Sequence, residues 1–482
     1  MSWLLAILAA GGLYGAEDEA SSAAAGSPDP ADTVRAVAFR ADPGNPTVGL
    51  SFLVPSGRAQ DPEGGGGAGR LLADALTLKA NERGAPMGVR VEAEVGGDFT
   101  VFTATAPATA WLEAYALLGD VLFRGGPTEG RMEEARDRTL SRLVFEDGSP
   151  VNAFERRVRE LLHGDGDPWG GRSRGTADEV RQLALADLEG LHADGYRSSS
   201  AILGVTGALE QEELAARVVG EQAFKTPGPE DDGGTFSLDA EEPVASDTVE
   251  REEADSAEDP SDGAPQAGNM QEGPDGPGAG NGMLDPARRV EGAEPAWSDG
   301  ERRTVEGEVT STWLVAAFPL PASTQRREVR FLEELFRERL TPSPPDRDLY
   351  ELSVETRHLP GGPVVLVRAT VFPVAAYQWE EEILEGVDDL GTQPPEGVFF
   401  DLARRAFATG RYLEDADPAA RSHRLALELF EDGRVAGPTD GVAELDPEWL
   451  QGLISSLGPP RILLYGPLEM ARPVSNGTAE DR

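Results

Sequence analysis

At 482 residues the chain is too long for one ordinary core and suits two domains of roughly 200 residues each. A formal net charge of −43 excludes a nucleic-acid binder, because phosphate recognition needs clustered Lys and Arg. The absence of cysteine excludes disulfides, thiolate zinc sites, iron–sulfur clusters and thiol catalysis.

Residues 3–16 form an apolar run of signal-peptide length that ends in small residues and passes into a polar stretch from Glu17 to Asp32. It is short for a membrane span and lacks a basic n-region. We read residues 1–32 as a signal-like segment with a disordered N-terminus, and expect export to the periplasm or cell envelope.

A first α+β unit is expected over 33–225. Val48, Leu50, Phe52 and Val54 alternate as a strand. A turn at Asp61-Pro-Glu63, four glycines and an apolar helix around Leu71–Lys79 follow. Residues 88–95 and 99–105 read as a strand pair split by Gly96-Gly-Asp98. Helices are expected over about 108–123, 128–145, 150–163 and 176–194, before a closing strand at Ala201–Thr206.

From 226 to 303 apolar periodicity disappears. Residues 226–300 hold 20 acidic and 3 basic side chains, and a stretch this polar cannot bury enough apolar surface to offset its ordering entropy. A disordered acidic linker is expected here.

The order then repeats over 304–473. A strand at Thr312–Leu320 leads to a helix at Arg326–Leu340 and a strand pair at 350–356 and 364–371. Helices follow over about 374–390, 396–409, 418–433 and 447–457, then a closing strand at Arg461–Tyr465. Residues 474–482 read as a tail. The closing segments Ile202-Leu-Gly-Val-Thr-Gly-Ala-Leu-Glu210 and Ile462-Leu-Leu-Tyr-Gly-Pro-Leu-Glu469 echo each other. The fold class is therefore α+β, with two duplicated domains, each a mostly antiparallel sheet packed against helices.

The four histidines, His163, His192, His358 and His423, are far apart and none has the close histidine neighbour of a zinc site. No P-loop, dinucleotide fingerprint or nucleophile elbow stands in a strand–turn–helix context.

The strand–turn–glycine–helix order from Thr47 to Leu76 resembles the start of the pitrilysin/insulinase family of zinc peptidases. A second matching stretch runs from Asn152 to Leu209, through His163-Gly-Asp-Gly-Asp-Pro-Trp-Gly170, Gly195-Tyr196 and Gly204-Val-Thr-Gly207. The resemblance spans nearly all of both repeats and implies a clamshell that encloses an extended peptide. Active members carry His-x-x-Glu-His on the first long helix. Here Arg70, Ala73 and Asp74 hold those three positions. A guanidinium in place of an imidazole removes a donor and adds a charge that repels Zn²⁺, and Ala73 has no base to offer. The family's third ligand, a Glu, corresponds to a place near Arg142, with Glu133, Glu134 and Glu146 close in sequence. No metal or other cofactor is expected.

In relatives that lost zinc, the second half contributes an Arg and a Tyr that grip substrate near a partner's zinc. Tyr350 matches the Tyr, and Arg347 is the nearest candidate for the Arg, with Arg339 beyond a proline-rich insertion. The resemblance implies a catalytically inactive homologue. Its partner would be an active subunit of the family in a heterodimer, or a second copy in a homodimer, with an extended peptide added to an exposed strand edge on the inward sheet faces. The alternatives are a structural subunit of a larger envelope or respiratory assembly, and a peptidase with an unrecognised site.

Overall fold

The computed structural model describes residues 34–163, 174–218, 224–225, 297–359, 361–392, 397–435 and 447–468. The signal-like segment, nearly all of the acidic stretch, the turn after His163 and the tail lie outside the described residues.

The first half runs β1 (Ala36–Ala41), β2 (Thr47–Val54), α1 (Ala68–Gly84), β3 (Arg90–Val95), β4 (Thr100–Pro107), α2 (Trp111–Gly119), α3 (Glu129–Asp147), α4 (Pro150–His163), α5 (Ala177–Gln182), α6 (Leu185–Gly195), β5 (Ile202–Gly207), α7 (Gln211–Val218) and β6 (Phe224–Lys225). The second runs β7 (Glu301–Glu306), β8 (Thr312–Pro319), α8 (Arg326–Leu340), β9 (Leu349–Leu359), β10 (Gly362–Val371), α9 (Ala376–Thr392), α10 (Gly397–Glu414), α11 (Pro418–Glu431), α12 (Pro447–Ser455) and β11 (Arg461–Gly466).

The strands form two sheets, β3-β4-β2-β5-β1-β6 and β7-β11-β8-β10-β9. Both are mixed. In each, the last long strand pairs antiparallel with the second strand of its half and parallel with the first, so Ala36 stands beside Ile202 and Arg461 beside Glu301. The α+β reading and its internal duplication hold. Three strands escaped the sequence reading: β1, β7 and the two-residue β6. β1 is a near-continuous apolar run, as parallel strands are, and lacks the alternation that marks a one-sided strand. β7 alternates, but it is made largely of charged residues, and its first three, Glu301–Arg303, were counted with the acidic stretch.

Each sheet buries one face under helices of its own half. α1, α2 and α6 cover the first sheet around Leu50, Phe52, Leu71, Leu72 and Leu76. α8, α9, α10 and α12 cover the second around Phe331, Leu335, Phe336 and Trp379. The opposite faces are covered by exchange. α4, from the first half, lays Phe154, Val158, Leu161 and Leu162 on Val315, Ala317, Val364, Leu366 and Leu463 of the second sheet. α11, from the second half, lays Leu425, Ala426 and Leu429 on Ala38, Leu53, Val101 and Ile202 of the first. The expectation that the inward sheet faces lie open to a peptide is thus corrected: a helix of the opposite half fills each one, because a two-sided apolar sheet must bury both faces. What remains accessible is the sheet edges.

The two seats differ in chemistry. α4 sits on rings: Phe154 lies 5.3 Å from Trp313 and 5.8 Å from Tyr465, centroid to centroid. Arg461 donates to the Leu161 carbonyl at 2.8 Å, which satisfies an acceptor in the last turn of α4. α11 instead sits on small residues. A Cβ placed on Gly49 would lie 2.0 Å from the Pro418 carbonyl oxygen, and one on Gly204 would lie 2.0 Å from that of Ser422, so only glycine permits this approach. Ser51 and Ser422 hydroxyls meet there at 2.8 Å. Beside them lies a buried ionic cluster. Arg424 donates to Asp415 at 2.7 Å and to Glu428 at 2.9 Å, and Arg411 donates to Glu428 at 2.7 Å. Arg421 reaches Asp42 at 3.1 Å and so joins the cluster to the end of β1.

Candidate functional site

The residues that the resemblance singles out sit at the start of α1. The chain reaches this helix through a tight glycine corner. Gly67 has φ +86°, and a Cβ there would lie 2.3 Å from the Arg174 carbonyl oxygen, so the corner packs backbone against backbone. Asp61, from the predicted acidic turn, accepts the Gly67 and Gly69 amides at 2.8 and 2.6 Å. These are donors that an α-helix leaves unsatisfied at its N-terminus. Burial pushes the Asp61 carboxyl above its ordinary range, against the pull of the two amides and Arg58. Sequence reading took Asp61 as part of a turn and missed its capping role; an acid shortly before a helix start is the available signal.

One turn into the helix, Arg70 Nη2 meets Asp74 Oδ1 at 2.8 Å. Ala73 is fully buried. The three positions that the resemblance singles out therefore hold a closed i,i+4 ion pair and a buried methyl. Arg142 is exposed on α3 and contributes nothing to the group. Glu133 and Glu134 are engaged by arginines of the same helix, and Glu146 by Arg174 at 2.7 Å. Among the described residues, no three His, Asp or Glu side chains are arranged to hold a metal ion.

The second nitrogen of Arg70 has another partner: Nη1 donates to the Ala93 carbonyl on edge strand β3 at 3.3 Å. Further along α1, the Asn81 carboxamide binds both peptide groups of Val91, accepting its N–H at 2.9 Å and donating to its carbonyl at 2.8 Å. A side-chain amide thus stands in for a neighbouring strand. Sequence reading missed Asn81; the signal is a poor helix former in the middle of an apolar helix.

Tyr350 opens β9 and is 59% exposed. Arg347 is also exposed, in the connection between α8 and β9. Neither makes a hydrogen bond or ion pair among the described residues. Arg339 is committed to Asp389 at 2.7 Å.

A further charged cluster joins α4 to the β9–β10 hairpin. Glu155 is shared between Arg368 at 3.2 Å and Arg357 at 3.5 Å, and both arginines also reach Glu355 at 2.9 Å. Burial opposes the Glu155 charge, but Arg368 and Arg357 outweigh it and hold the carboxyl below its ordinary range.

No family profile matches the sequence, and no curated protein is similar to it in sequence. Solved structures are similar in fold. A protease from Helicobacter pylori matches with TM-score 0.63 and 12% identity over 89% of this chain and 96% of that one. The inactive domain of an M16 peptidase from Pseudomonas fluorescens matches with TM-score 0.60 and 13% identity over 90% and 97%. A chain of complex III from Candida albicans matches with TM-score 0.62 and 11% identity over 92% and 96%. The fold is that of M16, or pitrilysin-type, peptidase domains.

Proposed function

We propose that this chain is a non-catalytic M16-like subunit that forms half of a peptide-enclosing chamber with a catalytically competent M16 partner. One observation carries the reading: at the family's metal position, Arg70 and Asp74 neutralise each other over buried Ala73. A fixed cation there opposes Zn²⁺, and a single carboxylate already paired to it is a poor ligand. The likeness to an inactive M16 domain supports the same reading. In it, exposed Tyr350 at the start of β9 reaches toward the partner's active site, with Arg347 beside it in sequence. The apolar N-terminal run supports a cell-envelope location for the assembly.

The test is co-purification at native abundance with identification by mass spectrometry. An associated chain bearing His-x-x-Glu-His is expected, and Tyr350→Phe should lower the pair's turnover without loosening it. The likeness to a chain of complex III favours a second reading, a structural subunit. Recovery in a large assembly that lacks any such chain decides for it. Peptide cleavage by the purified chain alone, lost on chelation, overturns both.

A further inference from the structure

We infer that the outer edge of β9 takes an extended peptide strand and that this strand is acidic. The inference rests on the peptide-enclosing reading above and names the surface and the partner chemistry within it.

The edges of the two sheets are not equivalent. On β3, the Gly96 N–H donates to Phe99 at 2.8 Å, which fixes the ladder: even-numbered residues bond to β4, and Val91, Ala93 and Val95 point outward. Asn81 occupies both outward groups of Val91, and Arg70 occupies the Ala93 carbonyl. A peptide adding there must first displace two side chains of α1. On the second sheet, Leu320 N–H donates to Pro363 at 2.9 Å, so odd residues of β10 bond to β8 and even ones to β9. The outward residues of β9 are therefore Leu352, Val354, Thr356 and His358. Of Leu352, Val354 and Thr356, the Val354 carbonyl accepts from a side chain among the described residues, Arg337 at 3.3 Å. The outward peptide groups of Leu352 and Thr356 have no partner among the described residues. β9 is also the longer edge, 11 residues against 6. Of the remaining edges, β6 has two residues and β7 is guarded by Glu301, Arg302, Arg303 and Glu306.

The charge beside β9 selects the occupant. Odd residues of β9 face α4, where Arg159, Arg357 and Arg368 gather against Glu155 and Glu355. This is a local excess of cations in a chain of net charge −43. Arg159 Nε is buried without a hydrogen-bond partner, and burial together with Arg58, Arg357 and Arg156 disfavours its charge against the pull of Glu155. An added strand turns every second side chain toward that face, where carboxylates would pair with Arg159 and Arg357.

Two synthetic nine-residue peptides, alternating Thr–Glu and alternating Thr–Lys, test this by calorimetry and amide hydrogen exchange on the full chain. The Thr–Glu peptide should bind at least about tenfold more tightly, and should protect the amides of Leu352 and Thr356. Leu352→Pro removes an outward N–H that the sheet does not use, and should weaken binding about tenfold while leaving the fold intact. Arg159→Gln with Arg357→Gln should erase the preference for acid. Protection at Val91 and Ala93 instead would overturn the placement, and equal binding of the two peptides would overturn the charge selection. A chain that binds neither peptide, yet still assembles with a catalytic partner, overturns this inference and leaves the proposed function standing.

Discussion

Helix α4 meets the second sheet through Phe154, Trp313 and Tyr465, whereas α11 meets the first sheet through Gly49, Gly204, two serines and a buried cluster of arginines and acids. The repeat is the same and the packing problem is the same, a second apolar sheet face that needs a lid. The solutions sit at opposite ends of the available physics. Rings tolerate small shifts and gain by area. Glycine contacts and desolvated ion pairs tolerate far less: backbone lies on backbone at Gly49 and Gly204, and a half-made ion pair leaves a buried charge unpaired. A duplicated architecture can thus be kept while its interfaces diverge completely.

The comparison breaks most visibly at Arg424. Arg424→Met strips Asp415 and Glu428 of their main cation in a buried site and should cost about 3–5 kcal/mol in denaturant unfolding. If it proves neutral, the cluster is wetter than its burial indicates. Gly204→Ala should cost about 3 kcal/mol, since the new methyl meets the Ser422 carbonyl and the helix must lift. On the aromatic side, Phe154→Ala should cost about 3 kcal/mol through its cavity, but the loss should be partly recovered by Leu or Met, which the glycine side would not allow.

Acid sharpens the contrast in a different way. Desolvation works against the Glu428 carboxylate, yet Arg424 and Arg411 hold its pKa below the ordinary value, and Glu155 behaves likewise on the α4 side. A folded-state pKa below the unfolded one contributes stability above about pH 4.5, lost as pH falls through the folded value. Both seats should therefore loosen in acid. Residue-resolved amide hydrogen exchange should show α11 released first, because α4 keeps its ring contacts. The smallest effect belongs to α1: Arg70→Ala should change stability by only about 0.5 kcal/mol, because its ion pair is partly solvated. Elemental analysis of Arg70→His with Ala73→Glu and Asp74→His should still find no tightly held zinc, since Arg142 supplies no third ligand.

The order of strands and helices was legible because each half presents clean periods, such as the alternation of β2 and the helical spacing of Phe154, Val158, Leu161 and Leu162. The exchange was not legible, because an amphipathic helix states that it has an apolar face and says nothing about which sheet it covers. Gly49 and Gly204 read as ordinary strand residues until the Pro418 and Ser422 carbonyls are seen above them. At the candidate site, the resemblance drew attention to Arg70, Ala73 and Asp74, and the i,i+4 spacing of Arg70 and Asp74 is that of a helical ion pair. The capping of β3 by Asn81 and the cation excess near β9 depend on registers between segments far apart in the chain, which no local pattern encodes.

The reciprocal loan of α4 and α11 also sets what a protease can do to this molecule. Residues 226–296 carry the covalent link between the halves, and each half holds the other by a helix inserted against its sheet. A cut in that link would yield two polypeptides but one particle, still co-migrating on a sizing column and parting only in denaturant. Expressed separately, each fragment would expose a naked sheet face together with an orphan helix, and would be sticky until it met its complement. The halves behave as a split protein waiting to be divided, each carrying the helix that covers the other's sheet.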